Sequence, residues 1–431
     1  MTDPDISSQF CHYLYDLARD RPRLNEICPQ HDGRRMLVIQ NLDDADRVMR
    51  RNVDNYLKNF RWFTQVAGNS RLTDDGEQWK FRQDLSQPYL GKYDASRAFA
   101  ISTAHGQHMA RHLALAPDAE ILDEGLIHQS MLSIFTQMFL EVELARLPMA
   151  HDSASRLIEL ASSYAFVAPG QESIKDNKAH IREILQLRKT IFNALQCLRG
   201  DAFPRSPMLE AMLEAEAAPG FDFSFEKELT MLFGAGTDTA SYSIGWALYL
   251  LATNPGLQER LHAGLRDVYI AHGKDRLALQ AAIAQHVDLR SFISELLRLY
   301  PPLPFITRLA HKQDKLSDMA VEPGDVVVVS LVGVNHRALE RADPWKPDLD
   351  AATQEGFGMG TGSISSFVWG KRVCGGRSFA LVELAAVLSV LIVQLRVEVS
   401  RQEPMIYEWV GQMRRKGGHR LKIVSRAVES D

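Results

Sequence analysis

One cysteine near the C-terminus stands among residues that favour its use as a metal ligand. The stretch Phe367-Val368-Trp369-Gly370-Lys371-Arg372-Val373-Cys374-Gly375-Gly376 places the thiol just ahead of an apolar, helix-like run, with Arg372 two residues before it and glycines on both sides. A helix N-terminus and a neighbouring cation both favour the thiolate, the form that binds metal. A lone cysteine cannot build a zinc site. It can be the single axial ligand of a haem, where a thiolate pushes electron density onto iron and promotes O–O cleavage. The ordinary alternative is a buried structural thiol ahead of a core helix.

A second stretch carries groups that such chemistry would use. Leu229 to Ala252 reads as a largely apolar helix, yet its middle is Gly234-Ala235-Gly236-Thr237-Asp238-Thr239-Ala240. Glycine inside a helix costs about 1 kcal/mol relative to alanine, and threonine and aspartate are poor interior residues. Small residues let a flat ligand approach the backbone, while Asp238 and Thr239 offer a carboxylate and a hydroxyl for moving protons. Thr239 follows Ala235 by one turn, so the two share a face. A third stretch, Glu295-Leu296-Leu297-Arg298, leads into Tyr300-Pro301-Pro302-Leu303-Pro304-Phe305-Ile306-Thr307-Arg308. Its glutamate and arginine lie three apart on one helix face, a pair worth only a few tenths of a kcal/mol in isolation, about 0.2–0.5.

Together these stretches resemble the cytochrome P450 family. The family's haem loop has the form Phe-x-x-Gly-x-Arg-x-Cys-x-Gly, matched by Phe367, Gly370, Arg372, Cys374 and Gly376, with Ala380 and Glu383 at the expected offsets beyond. Ala-Gly-x-Asp-Thr matches its oxygen-binding helix, although Ala240 departs from the second threonine or serine usual there. Glu295 and Arg298 match its buried structural pair, and Arg308 falls where it places a propionate-binding arginine. The arginine that usually completes that pair is replaced by Leu349, so the third member is absent or supplied by Arg337 or Arg341. The segment Asp75-Gly76-Glu77-Gln78-Trp79-Lys80-Phe81-Arg82-Gln83 resembles the helix that gives tryptophan and arginine to the propionates, with Arg82 one position short of the usual spacing.

The resemblance implies a mainly α fold with a small β lobe, one domain over residues 1–431, and haem b held between the oxygen-binding helix and the helix after the cysteine loop. It implies cofactor contacts from Cys374, Arg372, Arg308, Trp79, Phe367, Gly376, Ala235 and Gly236, with Asp238 and Thr239 supplying protons. Leu303, Phe305 and Ile306 are expected in the substrate chamber. The activity implied is a haem-thiolate monooxygenase that inserts one atom of dioxygen into an apolar small molecule, terpenoid, fatty acyl or polyketide-like. NAD(P)H would supply electrons through a ferredoxin or flavodoxin and its reductase, docked on Lys371, Arg372, Arg377 and Lys80. The alternatives are a peroxide-using or C–C-cleaving enzyme of the same kind, and a haem sensor without turnover. A sensor has no need of the Asp238–Thr239 pair.

Composition is consistent with this reading. Of 431 residues 45% are hydrophobic, and the net charge of -5 argues against a nucleic-acid partner. Length alone would suggest two or three domains, where the resemblance implies one. Cysteines at 11, 28, 197 and 374 are scattered, unlike a disulfide framework, which suits a cytoplasmic protein. The N-terminus has neither a basic start nor an apolar core for a signal peptide. The longest apolar run, Phe379 to Leu395, is shorter than the ~20 residues needed to span a bilayer and contains Glu383, Ser389 and Gln394, so a core helix is expected. These features predict a soluble, bacterial-type member with no stable membrane insertion, and the short stretch after Cys374 leaves no room for a fused reductase.

The remaining signals are local. Asn254-Pro255-Gly256 should end the long helix and a new one should run from Leu257 to His272. Glu322-Pro323-Gly324-Asp325 reads as a turn before a strand from Val326 to Leu331, and Lys416-Gly417-Gly418-His419 as the turn of a hairpin between Trp409 and Val424. Gly356 to Gly362 is glycine-rich but lacks the strand, helix and lysine of a phosphate loop. His105, His108 and His112 share a helix face and could bind zinc only with a further ligand.

Overall fold

The long apolar helix read from Leu229 to Ala252 forms the spine of the structure. In the computed structural model, which describes residues 4–20, 26–29, 35–115, 121–162, 178–337, 341–355 and 365–426, it runs Phe225–Phe233, passes through a widened turn at Gly234–Asp238, and continues as Thr239–Thr253. Ser224 caps its start by accepting from Lys227 N. It stops at Asn254, and Pro255 opens the next helix, Pro255–His272, where the missing N–H costs nothing.

The second spine element is Arg377–Gln394, which lies along the helix Ala95–Ala114. The close approach needs Gly106, where a Cβ would stand 3.3 Å from both Val387 Cα and Val390 Cβ. Among the described residues Arg377–Gln394 is the one helix long and apolar enough to cross a membrane. Its Phe379, Leu384, Val387 and Leu391 are buried in the main core, as the polar interruptions in its sequence predict.

The β lobe begins with β1 (Glu26–Pro29), β2 (Arg35–Ile39) and β3 (Tyr56–Lys58), and continues after the helices with β4 (Phe305–Ala310), β5 (Asp314–Leu316), β6 (Met319–Val321) and β7 (Val326–Ser330). Five of these form one sheet in the order β1-β2-β7-β4-β3, with β2 parallel to β7 and the other neighbours antiparallel. β7 is buried along its whole length, as its β-branched run predicts, but it ends one residue earlier than expected. Leu331 instead opens the helix Leu331–Arg337, and its N–H donates to Pro304 O at 2.9 Å.

The C-terminal strands are β8 (Leu395–Val399), β9 (Tyr407–Trp409), β10 (Met413–Arg415) and β11 (Leu421–Ser425). They correct the expected hairpin. The tight turn joins β9 to β10 through Gly411 at φ +95°, whereas Gly417 and Gly418, at φ +79° and +77°, turn the chain away so that β11 pairs with β8. Trp246 of the central helix pins this region by donating to Met413 O at 3.2 Å and stacking on Tyr300 at 4.4 Å.

The outcome is a mainly α protein with a small β lobe. One large apolar cluster fills the helical part and a smaller one, including Leu37, Ile39, Val327 and Val329, sits on the sheet. The Gly356 to Gly362 stretch lies outside the described residues.

Candidate functional site

The cysteine loop is fixed before it reaches Cys374. Ser365 N and Oγ donate to Asn335 Oδ1, Ser366 Oγ donates to Leu297 O, and Trp369 Nε1 donates to Asp46 Oδ1 at 3.0 Å. Val368 is held at φ +50°, a costly conformation for a β-branched residue, of the kind that concentrates at functional sites. Gly370 follows at φ +74°, where a Cβ would stand 2.6 Å from Met49 O. Cys374 N then donates to Phe367 O at 3.0 Å, closing the loop, and the half-buried Phe367 ring packs on the main core.

The Cys374 side chain is exposed, yet protein surrounds it densely enough that burial raises its thiol above the ordinary value. A group that is both accessible and enclosed lines an internal space. The N–H groups of Gly376 and Arg377 and the charges of Arg71 and Arg377 work in the opposite direction, favouring the thiolate. Gly375 is needed because a Cβ there would stand 2.6 Å from Arg71 Nη2 and 2.7 Å from Gln87 Oε1. A Cβ on Gly376 would meet nothing, so the polypeptide alone does not demand glycine at that position.

On the β-lobe side, cations gather without enough anions. Lys58 of β3 is the direct cross-strand partner of Arg308 of β4, a like-charged pairing that destabilises a sheet. Arg308 is 4% exposed, its Nε has no partner among the described residues, and burial with the nearby Arg372 lowers it to about 9. Lys58 falls to about 7, chiefly through burial, with Arg372 and Arg308 adding to the shift and Asp75 opposing it. Arg372 donates to Tyr56 O at 2.9 Å and pairs with Asp75, and its Nε too is unpartnered. Trp79 is buried beside them, its ring centre 5.7 Å from Lys58 Nζ and 5.9 Å from Lys371 Nζ. Three cations facing one carboxylate suit an anionic ligand, and two carboxylates of a haem would answer them.

Arg82 does not join this cluster. It is 1% exposed and donates to Asp74 Oδ2 at 2.8 Å and Glu228 Oε2 at 3.3 Å, tying the helix Gly76–Gly91 to the start of the central helix. The residues that sequence reasoning missed are Lys58, Arg71 and Gln87. Gln87 Nε2 donates to Gly375 O at 3.2 Å and Gln87 Oε1 accepts from Arg71 Nη2 at 2.5 Å.

The central helix is buried almost all round, but Leu232, Ala235, Gly236, Thr239 and Tyr242 form a stripe of accessible positions. Ala235 and Thr239 sit on it as their spacing predicts, and Thr239 Oγ1 donates to Ala235 O at 3.0 Å. The flanking glycines also meet close neighbours within the protein. A Cβ on Gly234 would stand 1.7 Å from Ile158 Cδ1, and one on Gly236 would stand 2.8 Å from Phe135 Cδ2, so side chains of the helices packed behind crowd both positions. Asp238 is 2% exposed and points off the stripe, where its Oδ1 lies 2.8 Å from His128 Nε2 and accepts from Ser155 Oγ.

Leu303, Phe305 and Ile306 do not form one wall. Strand alternation sends Phe305 and Ile306 to opposite faces of β4. Phe305 packs on Phe10 and Trp409, with ring centres 5.3 and 4.7 Å away, while Ile306 belongs to the sheet-side cluster. Leu303 alone is half-buried. Glu295 and Arg298 are buried and joined by two hydrogen bonds of 2.8 and 2.9 Å, and Arg341 Nη1 donates to Glu295 Oε2 at 2.7 Å. Arg341 thus fills the third place; the Arg337 side chain lies outside the described residues. The His108 and His112 ring centres lie 4.0 Å apart, tilted by 44°, but no group of three metal-ligating side chains forms among the described residues. A cavity of ≈ 400 Å³ between Gly68, Arg188, Phe192 and Lys227 shares no lining residue with the cysteine loop.

The sequence model described as cytochrome P450 matches residues 30–423. A cytokinin hydroxylase of Arabidopsis thaliana is 29% identical over 178 residues, covering 40% of this chain and 33% of its own. Cytochrome P450 72A15 of the same plant is 28% identical over 265 residues, covering 57% and 50%. Cytochrome P450 4F12 of Homo sapiens is 32% identical over 180 residues, covering 41% and 33%. The chain thus spans a third to a half of the length of these curated relatives. They are plant and human proteins and lend no support to the bacterial-type expectation. A solved zebrafish cytochrome P450, determined with abiraterone, shares the fold with a TM-score of 0.70 over 97% of this chain and 100% of its own, at 17% identity.

Proposed function

We propose that this chain, which belongs to the cytochrome P450 family, is a haem-thiolate monooxygenase acting on an apolar small molecule. The observation that carries the reading is the enclosed but accessible Cys374 thiol together with the cations Lys58, Arg308 and Arg372, which gather around Asp75 in excess of its charge. Cys374 would ligate the iron, and the three cations would hold the propionates beside Trp79. Haem, when bound, supplies the oxidation chemistry and the cleavage of dioxygen. The protein's own part is to ligate, orient and deliver protons. Thr239 stands on the accessible stripe with a hydroxyl able to hold a water, and Asp238 lies one residue upstream with contacts that lead away from the chamber. That pair favours turnover over a haem sensor.

Terpenoid, fatty acyl and polyketide-like substrates all suit this proposal. Electrons would come from NAD(P)H through a ferredoxin or flavodoxin and its reductase, and the protein is proposed to be cytoplasmic, without stable membrane insertion. Within the basic patch, Lys371 pairs with Asp54 at 3.0 Å and Lys80 with Asp84, so Arg377 carries much of the net charge. Lys371→Glu combined with Arg377→Glu is expected to slow reduction by the partner ~10-fold or more at low salt, with the difference fading as salt is raised. Equal stopped-flow reduction rates for variant and wild type at low salt would remove the patch from the proposal.

The test of the reading is coupling. Thr239→Ala should keep haem but divert reducing equivalents to peroxide. Asp238→Asn should slow oxygen consumption itself by ~10²-fold or more, the usual contribution of a positioned proton-transfer group. NAD(P)H consumed, peroxide released and product formed are measured with a surrogate redox chain. Wild-type coupling and rate in both variants would favour the peroxide-using or non-catalytic alternative.

A further inference from the structure

We propose that His128, working with Ser155 and His151, is the proton inlet that recharges Asp238, an inference that rests on the haem-thiolate reading above. Three elements converge behind the widened turn of the central helix. His128 comes from the helix Glu124–Phe135, Ser155 from Ser153–Ser162, and Asp238 closes Gly234–Asp238. His128 Nε2 lies 2.8 Å from Asp238 Oδ1 and 2.5 Å from Ser155 Oγ, and Ser155 Oγ also donates to that carboxylate oxygen. One imidazole nitrogen meets both partners. The cluster therefore lacks the two-ended arrangement of a nucleophile, base and orienter, and serves the carboxylate instead.

The other end of the ring gives the direction of the relay. His128 is 9% exposed, and its Nδ1 is buried with no hydrogen-bond partner among the described residues; the same holds for His151 Nδ1. A buried polar atom left unpaired costs about 1–3 kcal/mol, so stability alone would be better served by a one-ended donor to Asp238. The two imidazoles are 6.0 Å apart, a separation that one bridging water spans, and His151 is half-buried beside the exposed Asp152. A path thus leads from solvent through His151 to His128 and on to Asp238, off the chamber side of the helix.

The proton count balances. A proton arriving at Nδ1 makes the imidazolium, the Nε2 proton passes to Asp238 Oδ1, and return of the ring from the Nδ1–H to the Nε2–H tautomer resets it. Histidine suits this role because one ring nitrogen can take up a proton while the other releases one. The other charged or titratable groups that bear on the cluster are Glu124, Glu159, Tyr242 and Arg414. Glu124 is raised to about 7 by burial, with Arg414 opposing, which adds a second group able to take up protons near neutrality.

His128→Gln keeps a donor to Asp238 but cannot pass a proton through the ring, and His151→Phe cuts the path one step further out. In both, oxygen consumption should slow ~10-fold or more with an enlarged solvent deuterium isotope effect. The CO-bound reduced holoprotein gives a readout free of turnover. There the His128 ring ¹⁵N signals should move on Asp238→Asn, and exchange of the ring N–H with solvent should slow on His151→Phe. A wild-type rate and isotope effect in either variant overturns the inlet. Failure of the wild-type protein to show a thiolate-type CO spectrum would instead sink the haem-thiolate reading, so the two failures are distinguishable.

Discussion

Replacing Cys374 with histidine is expected to abolish the red-shifted absorption of the reduced, CO-treated protein and, with it, all product formation. Thiolate ligation alters the electronic structure of the iron, and an imidazole in the same place gives a globin- or peroxidase-like centre without the same push toward O–O cleavage. The fold should survive the change. The loop is set by Ser365, Ser366, Trp369 and the Phe367 carbonyl, and none of those contacts uses the thiol. Cys374→His should therefore still take up haem, because Lys58, Arg308 and Arg372 remain to meet its carboxylates. The checks are the CO difference spectrum, haem content and far-UV circular dichroism on one preparation. A retained thiolate band would exclude Cys374 as the ligand. Loss of folded structure would show that the loop depends on the thiol more than its hydrogen bonds indicate.

What the sequence revealed was chemistry set by short spacing. The cysteine loop, the Ala235–Thr239 face and the Glu295–Arg298 pair each lie within one turn or one loop, so residue order is enough to bring their atoms together. The cation cluster was half legible. Arg308 and Arg372 belong to recognisable stretches, but Lys58 becomes meaningful only when β3 pairs with β4 in the register that sets it opposite Arg308. Arg71 and Gln87 reach Gly375 from a distant segment, and no local pattern signals that contact. Gly234 and Gly236 are out of place in a helix, as their sequence shows, and the structure adds a neighbour that no local pattern signals: Ile158 crowds the first and Phe135 the second. Phe305 and Ile306 failed as a pair because the alternation of β4 was not applied to them. The hairpin was misplaced because two glycine turns compete there, and only the pairing of β8 with β11 decides between them.

Removing Glu295 should cost more stability than any other single substitution near the site. Its carboxylate is buried and accepts from Arg298 Nε and Nη2, from Arg341 Nη1 and from Asp348 N. Burial works to raise its pKa, and these hydrogen bonds overcome it, holding the group below the usual carboxylate range. In Glu295→Ala the fully buried Arg298 keeps only Pro344 O and Lys346 O, so an uncompensated charge stays inside the core. Breaking such a pair typically costs about 3–5 kcal/mol, a large part of the ~5–15 kcal/mol that holds a domain together. Arg341→Ala should cost less, because a second arginine still faces the carboxylate and Glu355, the other partner of Arg341, is 28% exposed. Placing arginine at Leu349 should not rescue it, since that side chain is 4% exposed within the apolar core and a charge there would be newly buried. The double variant Glu295→Leu with Arg298→Leu should be less damaging than Glu295→Ala alone, as apolar replacement of both partners leaves no orphaned charge. Because the folded-state pKa of Glu295 lies below its unfolded value, its contribution is present above the ordinary carboxylate range and is lost as pH falls through the folded value. Urea unfolding of the haem-loaded protein at pH 7 and pH 4 measures both effects. If Glu295→Ala unfolded within about 1 kcal/mol of wild type at pH 7, Arg298 would have to find solvent or another anion, and the network would not be what braces the core behind Cys374.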